Sequence, residues 1–155
     1  MRTAKQYQNW FIFLLSLGFL LLHAGCGKKG PPVAPRAVIP PPVKDLKGEV
    51  VGDMVRLTWS IPQKDEAAFE GIAGFKLHRH KAHNSDATCP GCPIPFKPFL
   101  DIRLKDPAPA KVEADRIICY DEIEPEHRYA YKVVVYHKTG GMSEDSNIVD
   151  FVVKP

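Results

Sequence analysis

Neither sign of charge dominates this chain: its 155 residues carry 21 Lys and Arg against 18 Asp and Glu. Two of the cations, Arg2 and Lys5, lie in a segment that reads as removable, which leaves 19 against 18. So even a balance offers no basic stripe for a phosphate backbone and excludes nucleic acid as a general partner. The sequence also lacks a Gly-x-Ser-x-Gly elbow, a His-Glu-x-x-His pair and a glycine-rich phosphate loop, the arrangements that place a nucleophile, a zinc ion or a nucleotide. No enzyme class is indicated. A helical period of ten residues or more is missing after residue 42; 64–70 is the one stretch suited to a single turn. The longest apolar run, Trp10 to Leu22, is interrupted by Ser16 and Gly18. It falls short of the about 20 residues that a membrane-spanning helix needs.

What is present begins with export. A short basic stretch, the apolar run, and then small residues at Ala24 and Gly25 follow the order of a secretory signal peptide with its cleavage site. The next residue is Cys26. Ala24-Gly25-Cys26 resembles the lipobox of bacterial lipoproteins, with His23 where that family usually has Leu. The resemblance implies cleavage before Cys26, a signal peptide over 1–25, and a covalent diacylglycerol and acyl chain on Cys26. Two or more chains give stable anchoring where one is marginal. Cys26-Gly27-Lys28-Lys29-Gly30-Pro31-Pro32 is similar to the opening of small Gram-negative envelope lipoproteins. Because Gly27 is not Asp, the resemblance implies the outer membrane, on its periplasmic side, and no other cofactor. From Pro31 to Pro42 half the residues are proline, which favours polyproline II and reads residues 26–42 as a lipidated cysteine with its tether.

Beyond it, residues 43–155 show the period of two that marks half-buried strands. Val55, Leu57 and Trp59 alternate with Arg56 and Thr58, and Phe75 and Leu77 with Lys76 and His78. Tyr129, Tyr131, Val133 and Val135 follow the same rule, as do Val149, Phe151 and Val153 after Gly140-Gly141. An all-β sandwich is predicted, with Trp59, Phe75, Tyr129, Tyr131 and Val133 in its core.

The order of these segments resembles fibronectin type III domains over most of 41–155. Pro42-Val43-Lys44-Asp45-Leu46 is similar to that family's first strand, Val55–Trp59 with Pro62 to its second, and Ile72–Arg79 to its third. Ile123-x-Pro125-x3-Tyr129 matches its tyrosine corner, and Gly141-x-Ser143-x2-Ser146 its turn into the last strand. The resemblance implies an immunoglobulin-like sandwich that binds an envelope protein or surface component and does not catalyse. It breaks at an insertion, about 81–118, in which 96–104 suits an extra strand.

The insertion holds Cys89-Pro90-Gly91-Cys92. In an exported chain Cys89, Cys92 and Cys119 favour a disulfide, either Cys89 to Cys92 or one of these to Cys119. The alternative is a thiol or metal protein acting through the same three cysteines. His83 would complete a zinc set and His78 and His80 stand nearby, although one Cys-x2-Cys pair is half of the usual signature and no metal site is assigned. On a strand His78 and His80 share the face opposite Phe75 and Leu77, which reads as two solvent-facing side chains. A redox-active thiol needs a helix N-terminus that Pro90-Gly91 does not supply, and c-type haem attachment needs a histidine after the second cysteine. Asp121, Glu122, Glu124 and Glu126 read as a solvated acidic turn.

Overall fold

The protein is described by a computed structural model, which covers Trp10 and residues 37–62, 71–86 and 91–154. The signal peptide apart from Trp10, Cys26, most of the tether, Cys89 and the 64–70 turn lie outside the described residues. Apart from Trp10, those described belong to one unit, Pro35–Pro155.

Eight strands build two antiparallel sheets. They are β1 (Lys47–Val51), β2 (Met54–Ser60), β3 (Ile72–His83), β4 (Lys97–Arg103), β5 (Lys111–Glu113), β6 (Arg116–Glu122), β7 (His127–His137) and β8 (Val149–Val152). One sheet runs β1-β2-β6-β5 and the other β4-β3-β7-β8. Each inner face is the apolar half of an alternating strand. In β2 the buried positions are Val55, Leu57 and Trp59, and in β7 they include Tyr129, Tyr131, Val133 and Val135. Trp59 meets Phe75 edge to face with ring centroids 5.7 Å apart. The rings of Tyr129, Tyr131 and Phe151 stack within 6.3 Å of one another.

Two boundaries differ from those read in the sequence. The first strand is Lys47–Val51, not 42–46. Pro40, Pro41 and Pro42 have no N–H to give to a ladder, and Val43 and Leu46 are both buried although they stand three apart, a spacing no strand allows on one face. Leu46 is held instead by the Asn147 amide, which accepts from its N–H at 3.0 Å and donates to its carbonyl at 2.8 Å. Replacing Asn147 with Ala removes both bonds at once and is expected to cost about 1–3 kcal/mol, measured as a shift in urea midpoint with unchanged slope.

The tether also ends earlier than Pro42. Pro40 is buried, and the Val38 N–H donates to Thr139 Oγ1 at 3.0 Å. Gly141 has no room for a side chain there, since a Cβ would run into the Val38 carbonyl oxygen. Asp45 then fastens this segment to the end of β2, accepting from the Ser60 hydroxyl at 2.7 Å and from its N–H at 3.1 Å. Burial pushes the Asp45 carboxyl up, but these bonds outweigh it and hold the group below its ordinary value.

The tyrosine corner forms in full: the Tyr129 hydroxyl accepts from the Glu124 N–H at 3.0 Å. After the turn at Gly140, residues 143–146 run beside β7 and borrow its ladder through side chains. Ser143 Oγ accepts from the Val135 N–H and Ser146 Oγ from the Val133 N–H, each at 2.9 Å. The insertion contributes β4 to the edge of one sheet and β5 to the edge of the other.

Candidate binding surface

Among the described residues the cysteines do not gather into one site. Cys92 is exposed and disulfide-bonded, and Cys89 lies outside the described residues. Cys119 is a free thiol on the inner face of β6, paired with Leu57 across β2. It is 2% exposed, and burial together with the Asp121 charge pushes its pKa up to about 12. A thiol so hard to ionise at neutral pH is a core side chain. Cys119 is therefore corrected: it is a free, buried thiol and does not bridge to the insertion. Among the described residues no three of His, Cys, Asp and Glu converge as metal donors.

The histidines separate too. The His83 ring stands edge on to His127 at 5.1 Å, and its Nδ1 is 2.6 Å from Ser85 Oγ. His78 lies on the face opposite buried Phe75 and Leu77 but is half-buried there. Its Nδ1 is buried and has no hydrogen-bond partner among the described residues. Burial, reinforced by the Lys132 charge across the strand pair, holds the ring's pKa below its ordinary value.

The acidic turn is likewise not uniform. Glu122, Glu124 and Glu126 are exposed, whereas Asp121 is 6% exposed and points into the sandwich. Its oxygens accept from Arg79 Nη1 at 2.9 and 2.8 Å and from the Tyr131 hydroxyl at 2.6 Å. Burial, followed by the bond to Asp121, drives the Tyr131 hydroxyl well above the usual phenol range. Sequence reading missed this network, yet a signal for it exists. Ile117, Cys119, Asp121 and Ile123 keep one period of two, and Arg79 continues Phe75 and Leu77, so both charges fall on inward positions.

A hollow lies over the outer face of β3 and β7. It has a volume of about 540 Å³, with Ala82 and Ala130 on its floor and Ile94 and Pro95 of the insertion on one wall. Phe151 and Val152 of β8 line it as well. Ala130 is 4% exposed although its side chain faces away from the core. Four polar side chains, His80, Asp86, Arg128 and Asp150, surround this apolar floor. Such a lining, mostly apolar with a few polar groups to fix orientation, suits binding. β8 is an edge strand, and Val152 stays 59% exposed there.

Two solved structures illustrate the fold that this domain is similar to. The third fibronectin III domain of human KIAA0343 protein superposes with a TM-score of 0.53 at 11% identity, over 83% of this chain and 93% of that one. The fold is fibronectin type III-like. The twitchin kinase region from C. elegans, which includes a fibronectin domain, gives a TM-score of 0.51 at 12% identity, over 76% of this chain. This chain spans 17% of that one. No protein-family model and no curated protein matches the sequence. β3 and β7 are the two central strands of the sheet that β4 of the insertion joins.

Proposed function

We propose that this chain is a non-enzymatic lipoprotein of the bacterial envelope, lipidated at Cys26, exposed to the periplasm from the outer membrane, and binding a protein partner through its fibronectin type III-like domain. The observation that carries the binding half is the groove over β3 and β7. A departure from the common sandwich, the 91–96 segment, supplies a wall of it, and an extended partner segment fits between that wall and the β8 edge. The anchoring half rests on Ala24-Gly25-Cys26 after the apolar run. Cys89 is the proposed disulfide partner of Cys92, since Cys119 is free and Cys26 is assigned to the lipid. A bridge closing so short a loop stiffens the insertion and adds little global stability.

Both halves are open to one experiment in cells. A photo-cross-linker in place of Ile94, in a strain fed a fatty-acid probe, is expected to give a discrete protein adduct on a labelled chain. Ala82→Trp fills the groove floor without entering the core and is expected to remove the adduct and leave the label. Cys26→Ser is expected to remove the label. Labelling that survives Cys26→Ser overturns the anchor, and an adduct unaffected by Ala82→Trp overturns the groove.

A further inference from the structure

The pairing of β4 with β3 ends at Arg79 and Lys97, whereas β3 continues along β7 to His83. Among the described residues no strand covers His80–His83 on the β4 side. A second hollow of about 370 Å³ opens at that place and meets the first groove at His80 and Pro95. Arg79, His80, Lys81 and Lys97 line it together with apolar Pro95 and Phe99, and none of its lining residues is acidic.

Arg79 is a preset donor. Both of its bonds to Asp121 leave from Nη1, and its guanidinium lies 4.1 Å from the centre of the Phe99 ring. Fixed from behind by a buried carboxylate and along its plane by an aromatic ring, it needs no further ordering to present Nε and Nη2. Neither atom has a hydrogen-bond partner among the described residues, and the side chain is 29% exposed. A planar fork of this kind matches a carboxylate.

Charge decides what size of anion suits the hollow. Arg79 is paired with Asp121, and Lys81 is 2.5 Å from Glu124. Lys97 is the remaining lysine of the lining, with no ion pair among the described residues. Two of the three permanent cations are thus already compensated. A polyanion held by summed charge gains little here, whereas one carboxylate held by directed hydrogen bonds gains the fork of Arg79 and the ammonium of Lys97.

We infer that this hollow receives a glutamate or aspartate side chain from an extended partner segment, which continues the line of β4 along the uncovered edge at His80–Ala82, the His83 N–H and carbonyl being held by Asp86. The main chain of that edge supplies sheet hydrogen bonds, and the pocket supplies the side-chain preference, as in strand addition generally. This inference rests on the reading of the domain as a protein-binding module and names the chemistry of its partner.

The probe is a capped seven-residue peptide that alternates valine and glutamate, titrated into isotope-labelled full-length protein in detergent micelles. Amide shifts confined to residues 80–82 and 97–99 are expected, and raised salt is expected to weaken them. The same peptide with lysine for glutamate is expected not to bind. Lys97 is exposed and outside the core, and Lys97→Glu is expected to weaken binding about tenfold or more at unchanged melting temperature. Arg79→Lys keeps the charge beside Asp121 but loses the fork, and is expected to weaken it as well. Equal binding of both peptides, or full affinity in Lys97→Glu, overturns the inference. Inorganic phosphate or a sulfated oligosaccharide that displaces the peptide at equal concentration overturns it too, by showing a general anion site. An Ile94 adduct that persists when the peptide fails to bind leaves the module reading intact and removes the acidic segment alone.

Discussion

Trp59→Ala is expected to cost about 3–5 kcal/mol, a large part of the whole stability of a domain this size. The side chain is fully buried and stands where β2 of one sheet faces β3 of the other, edge on to Phe75. Truncation removes the transfer free energy of an indole and leaves a cavity that two sheets pinned by their own ladders close only in part. At roughly 4–8 °C per kcal/mol for a domain of about 100 residues, the melting midpoint is expected to fall by more than about 10 °C. Trp59→Phe is the informative companion. The indole Nε1 has no hydrogen-bond partner among the described residues, so phenylalanine forfeits volume but no bond and is expected to lose less than half as much. Thermal unfolding followed by far-ultraviolet circular dichroism measures both. A midpoint within a degree or two of wild type in Trp59→Ala places the indole outside the cooperative core.

The same physics explains what was legible in the sequence. A strand with one face on the core writes its position as alternation, so β2, β3 and β7 are plain from Val55, Leu57 and Trp59, from Phe75 and Leu77, and from Tyr129 to Val135. β1 writes nothing, because all five of its residues are exposed. The hydrophobic pair before it, Val43 and Leu46, drew the first strand to the wrong place. The tyrosine corner was legible because one hydroxyl must reach one N–H across a fixed loop, which fixes a spacing in sequence. The groove was not legible. Its floor is two alanines on an outer face, and its wall comes from an insertion whose path depends on where β4 leaves the sheet, a tertiary fact with no local pattern. The cysteines misled in a different way: compartment and count suggested which thiols oxidise, but the alternation Ile117, Cys119, Asp121 already placed Cys119 inward and out of reach of the surface.

Asp121 is where a charge on the inward period decides the energetics. Arg79→Met is expected to destabilise by about 3–5 kcal/mol, because it leaves a carboxylate 6% exposed with the Tyr131 hydroxyl as its one remaining partner. The cost belongs to the stranded charge and not to a favourable bond, and this has a testable consequence. Removing the carboxylate and the hydroxyl as well, in Arg79→Met with Asp121→Leu and Tyr131→Phe, leaves no polar atom of the network behind. A buried pair exchanged for apolar side chains of similar size is often neutral or stabilising, so the triple variant is expected to recover most of the loss. Denaturant midpoints with unchanged slopes measure each step. If the triple variant is as unstable as Arg79→Met alone, the pair is itself a source of stability and joins β6 to β3 and β7 by net attraction. If it recovers, the network holds Arg79 at a cost to the fold, which is what a guanidinium kept for a ligand requires.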